Sequence, residues 1–232
     1  MTTTQTSEST SAPAATPRAI LVVDVGGTHV KLLATGQHTR REFDSGPNMT
    51  PDVMMAQIKA LVSDWQYDVV TVGFPAPIKD GKPATEPHNL GSGWVDFDFA
   101  KAFGCPVRIL NDAAMQALGD YHGGRMLFLG FGTGLGAALI VDNVLVPLEL
   151  GRLPYKKRRT YEDYVGVRGL ERMGKKKWCK HVETVTALFK AAFEIDDIVL
   201  GGGNAKQLKK IAPGTRLADN NNAFLGGFQC WG

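Results

Sequence analysis

The sequence predicts an α/β fold built as a duplication: two similar lobes with a cleft between them. Three observations carry this. Each half of the chain opens with apolar strands folded about a glycine turn, "AILVVDVGGTHVKLLAT" and "RMLFLGFGTGLGAALIV". Each half then continues through helices that alternate with strands. A third glycine cluster, Gly201-Gly202-Gly203, follows a further apolar strand. The order is not the simple βαβ repeat of a dinucleotide fold.

The elements follow in order. "MTTTQTSESTSAPAATP" (1–17) is rich in Thr, Ser, Ala and Pro. It lacks the apolar surface that would offset the entropy of ordering, so it is expected to be a disordered tail. It has no apolar h-region and no arginine, so it reads as neither signal nor transit peptide. Two strands and a weaker third, "HTRREFD", lead into "PDVMMAQIKALVSDW", whose apolar residues recur at helical spacing behind a first-turn proline. "YDVVTVGF" is a buried strand, "DFDFAKAFG" a short helix closed by Gly104, "PVRIL" a strand and "DAAMQALGDYH" a helix opening on Asp112. The expected N-terminal lobe is 18–121. The second lobe, 122–232, holds three strands, a long helical region from about Tyr161 to Phe193, the strand "DIVLGGG", a helix "NAKQLKKIA" and a closing segment expected to return to the first lobe.

Composition bounds the function. At 232 residues, 44% hydrophobic and 21% charged, this is an ordinary globular chain able to bury a real core. No apolar run approaches the ~20 residues of a membrane span, so no membrane association is expected. Cys105, Cys179 and Cys230 are far apart and form no CxxC pair, which speaks against a zinc site or disulfide framework and for a reducing cytoplasm. Charge is uneven. Residues 152–180 carry 11 Lys/Arg against 3 Asp/Glu, an excess of +8 in a chain whose net charge is +3, so the remainder sums to −5. Such a block is either a solvated surface or a landing strip for a polyanion. No nucleic-acid-binding module accompanies it.

Two readings of "DVGGTHVK" compete. Gly26-Gly27 suits a tight hairpin, where φ > 0 is needed. Alternatively the missing Cβ atoms let backbone N–H groups approach a phosphate, with Thr28 offering a hydroxyl and Asp24 facing a metal. A single glycine turn favours the hairpin. Three of them, each at a strand end, favour the cradle. The third stands at an expected strand-to-helix junction, where the helix dipole would assist an anion. Asp112 likewise has two compatible roles. It can cap a helix, and at the carboxyl end of a strand it can face the cleft as a base for a substrate hydroxyl.

The motifs "DVGGTHVK", "GFPAPI", "HNLGSGW", "LNDAAMQALGD", "GFGTGLGAALIVDNVLVPLELG", "IVLGGGNAK" and "NNNAFLGG" together resemble the ROK family of sugar kinases, over about Val22–Gly227. That family belongs to the actin/hexokinase-like superfamily, which implies a two-lobed actin-like ATPase (ribonuclease H-like) fold. Within the family the likeness is to bacterial polyphosphate glucokinases, which share "VLVP" before "ELG", a helical "YEDY"-like stretch after it, and the lack of a cysteine-rich zinc motif. The resemblance implies a kinase that phosphorylates the 6-hydroxyl of glucose or a similar hexose, with Mg²⁺ and with ATP or polyphosphate as donor, and it suggests a homodimer. Asp112 resembles the general base. Asn89, Asn111 and Glu149 resemble the sugar ligands. Gly26, Gly27, Thr28 and Lys31, with Gly132, Thr133 and Gly134, resemble the phosphate loops. Gly202 and Gly203 resemble the turn at the far end of the donor, and Asp24 the Mg²⁺ carboxylate.

The pattern breaks after "ELG". Where the family usually has a histidine this chain has Arg152, which is permanently charged and cannot accept a hydrogen bond. Either Arg152 replaces the histidine's donation to a hydroxyl, or the acceptor is not plain glucose. A catalytically silent sugar- or phosphate-binding protein is the alternative. Glu162, in "YEDYVG", lies near where the resemblance implies another sugar ligand, but it reads rather as a surface glutamate on a helix.

Overall fold

The computed structural model describes residues 18–219 and 221–232, and the tail read over 1–17 lies outside them. In the first lobe β1 (Ile20–Val25), β2 (His29–Ala34) and β3 (Arg41–Asp44) form an antiparallel meander. Helix α1 (Pro51–Leu61) crosses to β4 (Val69–Phe74), which returns parallel to β1. α1 starts where the sequence places it, with Pro51 in the first turn and Met54, Met55 and Ile58 buried; the Thr50 hydroxyl, accepting from the Val53 N–H, is its cap. A small hairpin of β5 (Ile78–Lys79) and β6 (Lys82–Pro83) leads to a long loop, α2 (Phe99–Phe103) and β7 (Val107–Asn111), parallel to β4. Gly104 ends α2 in the left-handed conformation at φ +75°.

α3 (Asp112–Asp120) leaves β7 directly and carries the chain into the second lobe. There β8 (Arg125–Phe131), β9 (Leu135–Val141) and β10 (Val144–Leu148) repeat the meander. The single helical region expected over 161–193 is three helices. They follow a 3₁₀ turn at Leu150–Arg152 and a hairpin of β11 (Pro154–Lys156) and β12 (Arg159–Thr160): α4 (Glu162–Val165), α5 (Val167–Met173) and α6 (Lys175–Phe193). The breaks fall at glycines. Gly174 sits at φ +74°, and a Cβ on Gly166 would lie 2.6 Å from the Thr133 carbonyl oxygen. β13 (Asp197–Gly201) then pairs parallel with β8. The expected helix over "NAKQLKKIA" is only a 3₁₀ turn, Ala205–Gln207, after which the chain runs out along the surface to β14 (Thr215–Leu217) and α7 (Asn222–Gln229).

The two five-stranded sheets, β3-β2-β1-β4-β7 and β10-β9-β8-β13-β14, have the same order and directions, so the duplication is real at the level of topology. Each has its own core. Phe74, Trp94 and Phe99 anchor the first, with ring centroids 5.0–6.3 Å apart. Phe131 against Trp178 at 6.0 Å anchors the second. Each such buried side chain contributes about 1.5–3 kcal/mol.

Two helices are stacked between the sheets. α3 packs on β8 and β9, and α7 packs on β1 and β4. They touch so closely that a Cβ on Gly119 would lie 1.7 Å from the Asn222 carbonyl oxygen, and one on Gly226 1.9 Å from that of Met115. α7 therefore ties the chain's end to the first sheet. The fully buried Thr71 hydroxyl on β4 donates to the Gly227 carbonyl at 2.7 Å and accepts from the Trp231 indole N–H at 2.9 Å.

Candidate functional site

The strand ends and hairpin tips of both sheets face each other across the cleft. The first tip is a four-residue hairpin, closed by the Gly26 N–H donating to the His29 carbonyl at 2.9 Å. The second is a shorter turn, with Gly132 N–H on the Gly134 carbonyl at 3.2 Å. Both tips are hairpin turns, as one of the two readings expects. Gly26 and Gly132 spend their N–H groups closing the turns, whereas the amides of Gly27, Thr28, Thr133 and Gly134 donate to no other described residue. The expectation of φ > 0 at Gly26-Gly27 fails, since neither is left-handed. Crowding is the reason for glycine here: a Cβ on Gly26 would lie 3.0 Å from the His29 carbonyl oxygen, and one on Gly27 3.0 Å from Asn89 Cβ.

Asn89, on the long loop after β6, bridges the lobes. Its Nδ2 donates to Thr133 Oγ1 at 3.4 Å while its stem rests on Gly27. Thr28 is exposed and shares a 3.1 Å hydrogen bond with His29 Nδ1. Lys31 lies opposite Asp24 in the β1–β2 register and pairs with it at 3.4 Å, so in this state the lysine serves that carboxylate rather than a phosphate.

Asp112 begins α3, but it is not the cap. Asn111 is the cap, its Oδ1 accepting from the Ala113 N–H at 3.0 Å and its Nδ2 donating to the Ala76 carbonyl at 3.4 Å. Asn111 is thus committed to local structure, which corrects the reading of Asp112 as the cap, while Asp24 and Glu149 lie near enough to Asp112 for their charges to act on it. Asp112 Oδ1 accepts from the same N–H at 2.8 Å. The carboxyl is deep-set with one edge in contact with solvent, and its pKa rises from 3.8 to about 7. Burial is the main cause, with the negative charges of Asp24 and Glu149 adding to it. A carboxyl that titrates near neutrality beside a hairpin with free amides is a competent proton acceptor.

Glu149 and Arg152 pair with each other at 3.0 Å, both more than half exposed at the cleft edge. Gly202 is left-handed at φ +80° and packed on the Phe131 backbone, where a Cβ would lie 2.6 Å from it. Gly203 faces open space. The helix-dipole argument for this third turn does not hold, because a three-residue 3₁₀ turn follows it. Asn204 instead ties it to the second hairpin, Nδ2 donating to the Gly132 carbonyl at 3.1 Å.

Sequence reasoning missed four residues that shape the site. Ser45 braces the first hairpin, its hydroxyl donating to the Gly26 carbonyl at 2.6 Å and its N–H to that of Thr28 at 2.9 Å. Glu86 folds the Asn89 loop by accepting the N–H groups of Gly93, Trp94 and Val95 at 3.0, 3.1 and 3.4 Å. Asn204 is the third. Glu162 is the fourth, and it is not simply a surface glutamate: a Cβ on Gly134 would lie 2.7 Å from its Oε2, and one on Gly151 3.3 Å from it. No periodicity marks any of these positions. Only the "EPHNLGSGW" context of Glu86 hinted at a turn-rich loop.

Comparison with known proteins agrees with this architecture. The ROK family model matches residues 20–147. A polyphosphate glucokinase from Mycobacterium tuberculosis is 28% identical over 234 residues, covering 92% of this chain and 88% of its own. Among solved structures, an inorganic polyphosphate/ATP-glucomannokinase from Arthrobacter sp. strain KM superposes with a TM-score of 0.78 at 22% identity, covering 91% and 97% of the two chains. A ROK family glucokinase from Streptomyces griseus, in complex with glucose and AMPPNP, gives 0.73 at 14% identity, covering 91% and 98%. The fold is therefore the two-lobed actin-like fold of these kinases. No described helix is long and apolar enough to cross a membrane.

Proposed function

The chain belongs to the ROK family, and from that premise we propose that it is a sugar kinase, transferring a phosphoryl group from polyphosphate, ATP or both to the 6-hydroxyl of glucose or a similar hexose. The observation that carries this reading is the Asp112 carboxyl, held near neutrality at the cleft floor among Asp24, Glu149 and the hairpin tips. The names of the M. tuberculosis and Arthrobacter relatives support the donor and acceptor classes.

In this reading the free amides of Gly27, Thr28, Thr133 and Gly134 hold the transferred phosphoryl group, whose chemistry asks mainly for alignment and for neutralised charge. Asn89, reaching from one lobe to the other, lies at the sugar. Glu149 and Arg152 exchange their mutual ion pair for hydroxyl groups of the acceptor. Asp112 accepts the proton as the hydroxyl oxygen bonds to phosphorus and the bond from phosphorus to the donor's bridging oxygen breaks. Closing the lobes excludes water, whose attack would waste the donor.

Mg²⁺ fits this cleft in one manner. The described residues contain no cluster of three metal-ligating side chains, but Mg²⁺ is ordinarily held by one or two carboxylates together with waters and substrate phosphates. Asp24 would hold it, releasing Lys31. When bound, the ion supplies neutralising charge to the donor phosphates.

The test is direct. Purified protein incubated with hexoses, Mg²⁺ and each donor in turn should yield sugar phosphate with at least one pairing. Absence of product with every pairing refutes the kinase reading, and sugar binding without turnover would favour the catalytically silent alternative.

A further inference from the structure

The β11–β12 hairpin lies between two residues of the cleft. Arg152, paired with Glu149, stands just before it, and Glu162, whose Oε2 rests against Gly134, stands just after it. By its own sequence this hairpin is a weak one. Its tip, Lys157-Arg158, holds two consecutive residues in the left-handed region, at φ +50° and +59°. Two-residue turns require that conformation, but Asn and Gly adopt it at far lower cost. Lys156–Arg159 are four successive cations, all exposed. Pro154 has no N–H to give to the ladder, and the register shifts between it and Lys156. A two-stranded ribbon of this length is marginal without outside support.

One side chain supplies that support. From Arg152 to Arg159 every residue is exposed except Tyr155. Its ring stacks on Tyr161 with centroids 4.8 Å apart and meets Tyr164 edge-on at 5.1 Å. Its hydroxyl shares a 3.2 Å hydrogen bond with Nδ1 of His181 on α6. Burial first, and then the charges of Lys156 and Arg172, hold the His181 pKa below its ordinary value, so the ring is neutral at pH 7 and its Nδ1 can accept the hydroxyl proton. Tyr161 in turn packs on Phe189 of the same helix at 4.9 Å. The base of the hairpin is closed by the Tyr161 N–H donating to the Leu153 carbonyl at 3.1 Å. A hairpin that lifts off α6 therefore disturbs the residues at both of its ends.

We propose that Tyr155 is a positioning residue for the sugar: by pinning the β11–β12 hairpin to α6 it holds Arg152 and Glu162 at the cleft, where a hexose meets them. The proposal rests on the kinase reading for what is positioned, but not for the pinning itself.

The experiment compares the full chain with Tyr155→Leu, which removes ring and hydroxyl, and with Tyr155→Phe, which removes the hydroxyl alone. The Lys156–Arg159 tip is open to trypsin, and its rate of cutting in short digestions, mapped by mass spectrometry, reports how often the hairpin lifts. Affinity for glucose and mannose is read by calorimetry, which needs no turnover. Tyr155→Leu should be cut about tenfold faster and bind hexose about tenfold more weakly, the effect of losing one aromatic pair. Tyr155→Phe should change both by about threefold, the effect of one hydrogen bond. In the kinase assay the same factors should appear in the hexose KM, with kcat changed by less than about twofold. Faster cutting with unchanged hexose affinity would overturn the proposal, as would unchanged cutting, or a parent that binds neither hexose. A kcat that falls as far as KM rises would mark general loosening of the lobe and overturn it too. If Tyr155→Leu does not fold, Tyr155→Phe decides alone. Tyr155-dependent hexose binding in a protein that forms no sugar phosphate with any donor would sink the kinase reading and keep the pin, whereas turnover with a KM indifferent to Tyr155 would do the reverse.

Discussion

Replacing Asp112 with asparagine should make the protein more stable and disable it at the same time. The carboxyl is pushed from 3.8 to about 7, first by burial and then by Asp24 and Glu149, so the native state holds its proton more tightly than the unfolded chain does. Between those two values the unfolded chain has lost the proton and the native state has kept it. Native stability therefore falls as pH rises from about 4 to about 7, and is level above that. The full shift corresponds to about 4 kcal/mol at 1.36 kcal/mol per pKa unit. The carboxyl keeps one edge in solvent, which lowers the effect below that figure. Asparagine can still accept from the Ala113 N–H, so the local bond at 2.8 Å is retained and does not offset the gain. Urea unfolding of parent and Asp112→Asn between pH 5 and 8 measures this: the variant's advantage should grow with pH and then plateau. Phosphoryl transfer should fall by about 10²–10⁴, the usual contribution of a positioned general base. In the parent, kcat/KM should rise with pH through an acid limb near 7. A variant that is less stable than the parent at pH 8, or whose advantage does not vary with pH, would refute the electrostatic argument. Unimpaired turnover would refute the assignment of Asp112 as base.

Two other perturbations probe how the site is supported. Thr71→Val keeps the side chain's shape but strands the Gly227 carbonyl and the Trp231 indole N–H, and should cost about 2 kcal/mol in urea unfolding; an unchanged midpoint would mean that the chain's end does not clamp α7 to the first sheet. Glu86→Ala removes the acceptor of three loop N–H groups, whose bonds outweigh desolvation and hold that carboxyl below its ordinary pKa. It should raise the sugar KM severalfold with a smaller change in kcat, because Glu86 positions Asn89 without touching the reacting atoms. Its destabilising effect should fade as pH falls through the carboxylate range, and a loss independent of pH would assign Glu86 a merely steric role.

The strands around each glycine turn were legible because apolar runs bounded by Gly admit few alternatives, and α1 was legible from its first-turn Pro51, though its Thr50 cap was not. The helical region after Tyr161 was only half legible. Its polar face reads continuously, yet the breaks at Gly166 and Gly174 answer to φ at one position and to the neighbouring Thr133 carbonyl at the other. "NAKQLKKIA" has helical propensity over much of its length and still forms only a 3₁₀ turn, with Leu208 buried in the second lobe's core and both following lysines exposed. Candidate site residues could be found as motif members, but not their partnerships. That Lys31 pairs with Asp24, that Asn111 is a cap, and that Glu162 rests on Gly134 depend on registers and crossings that no local pattern encodes.

By itself the sequence determined the duplicated order of strands and helices, the three glycine turns and the kinase-like set of polar residues around them, because backbone conformation and hydrophobic periodicity are local properties of the chain. Only the tertiary structure decided which amides are left free, how far the Asp112 carboxyl is pushed, and that Asn89 reaches from Gly27 in one lobe to Thr133 in the other. Those are properties of burial and of charge at close range, and both are set by elements that meet across the fold after long stretches of intervening chain.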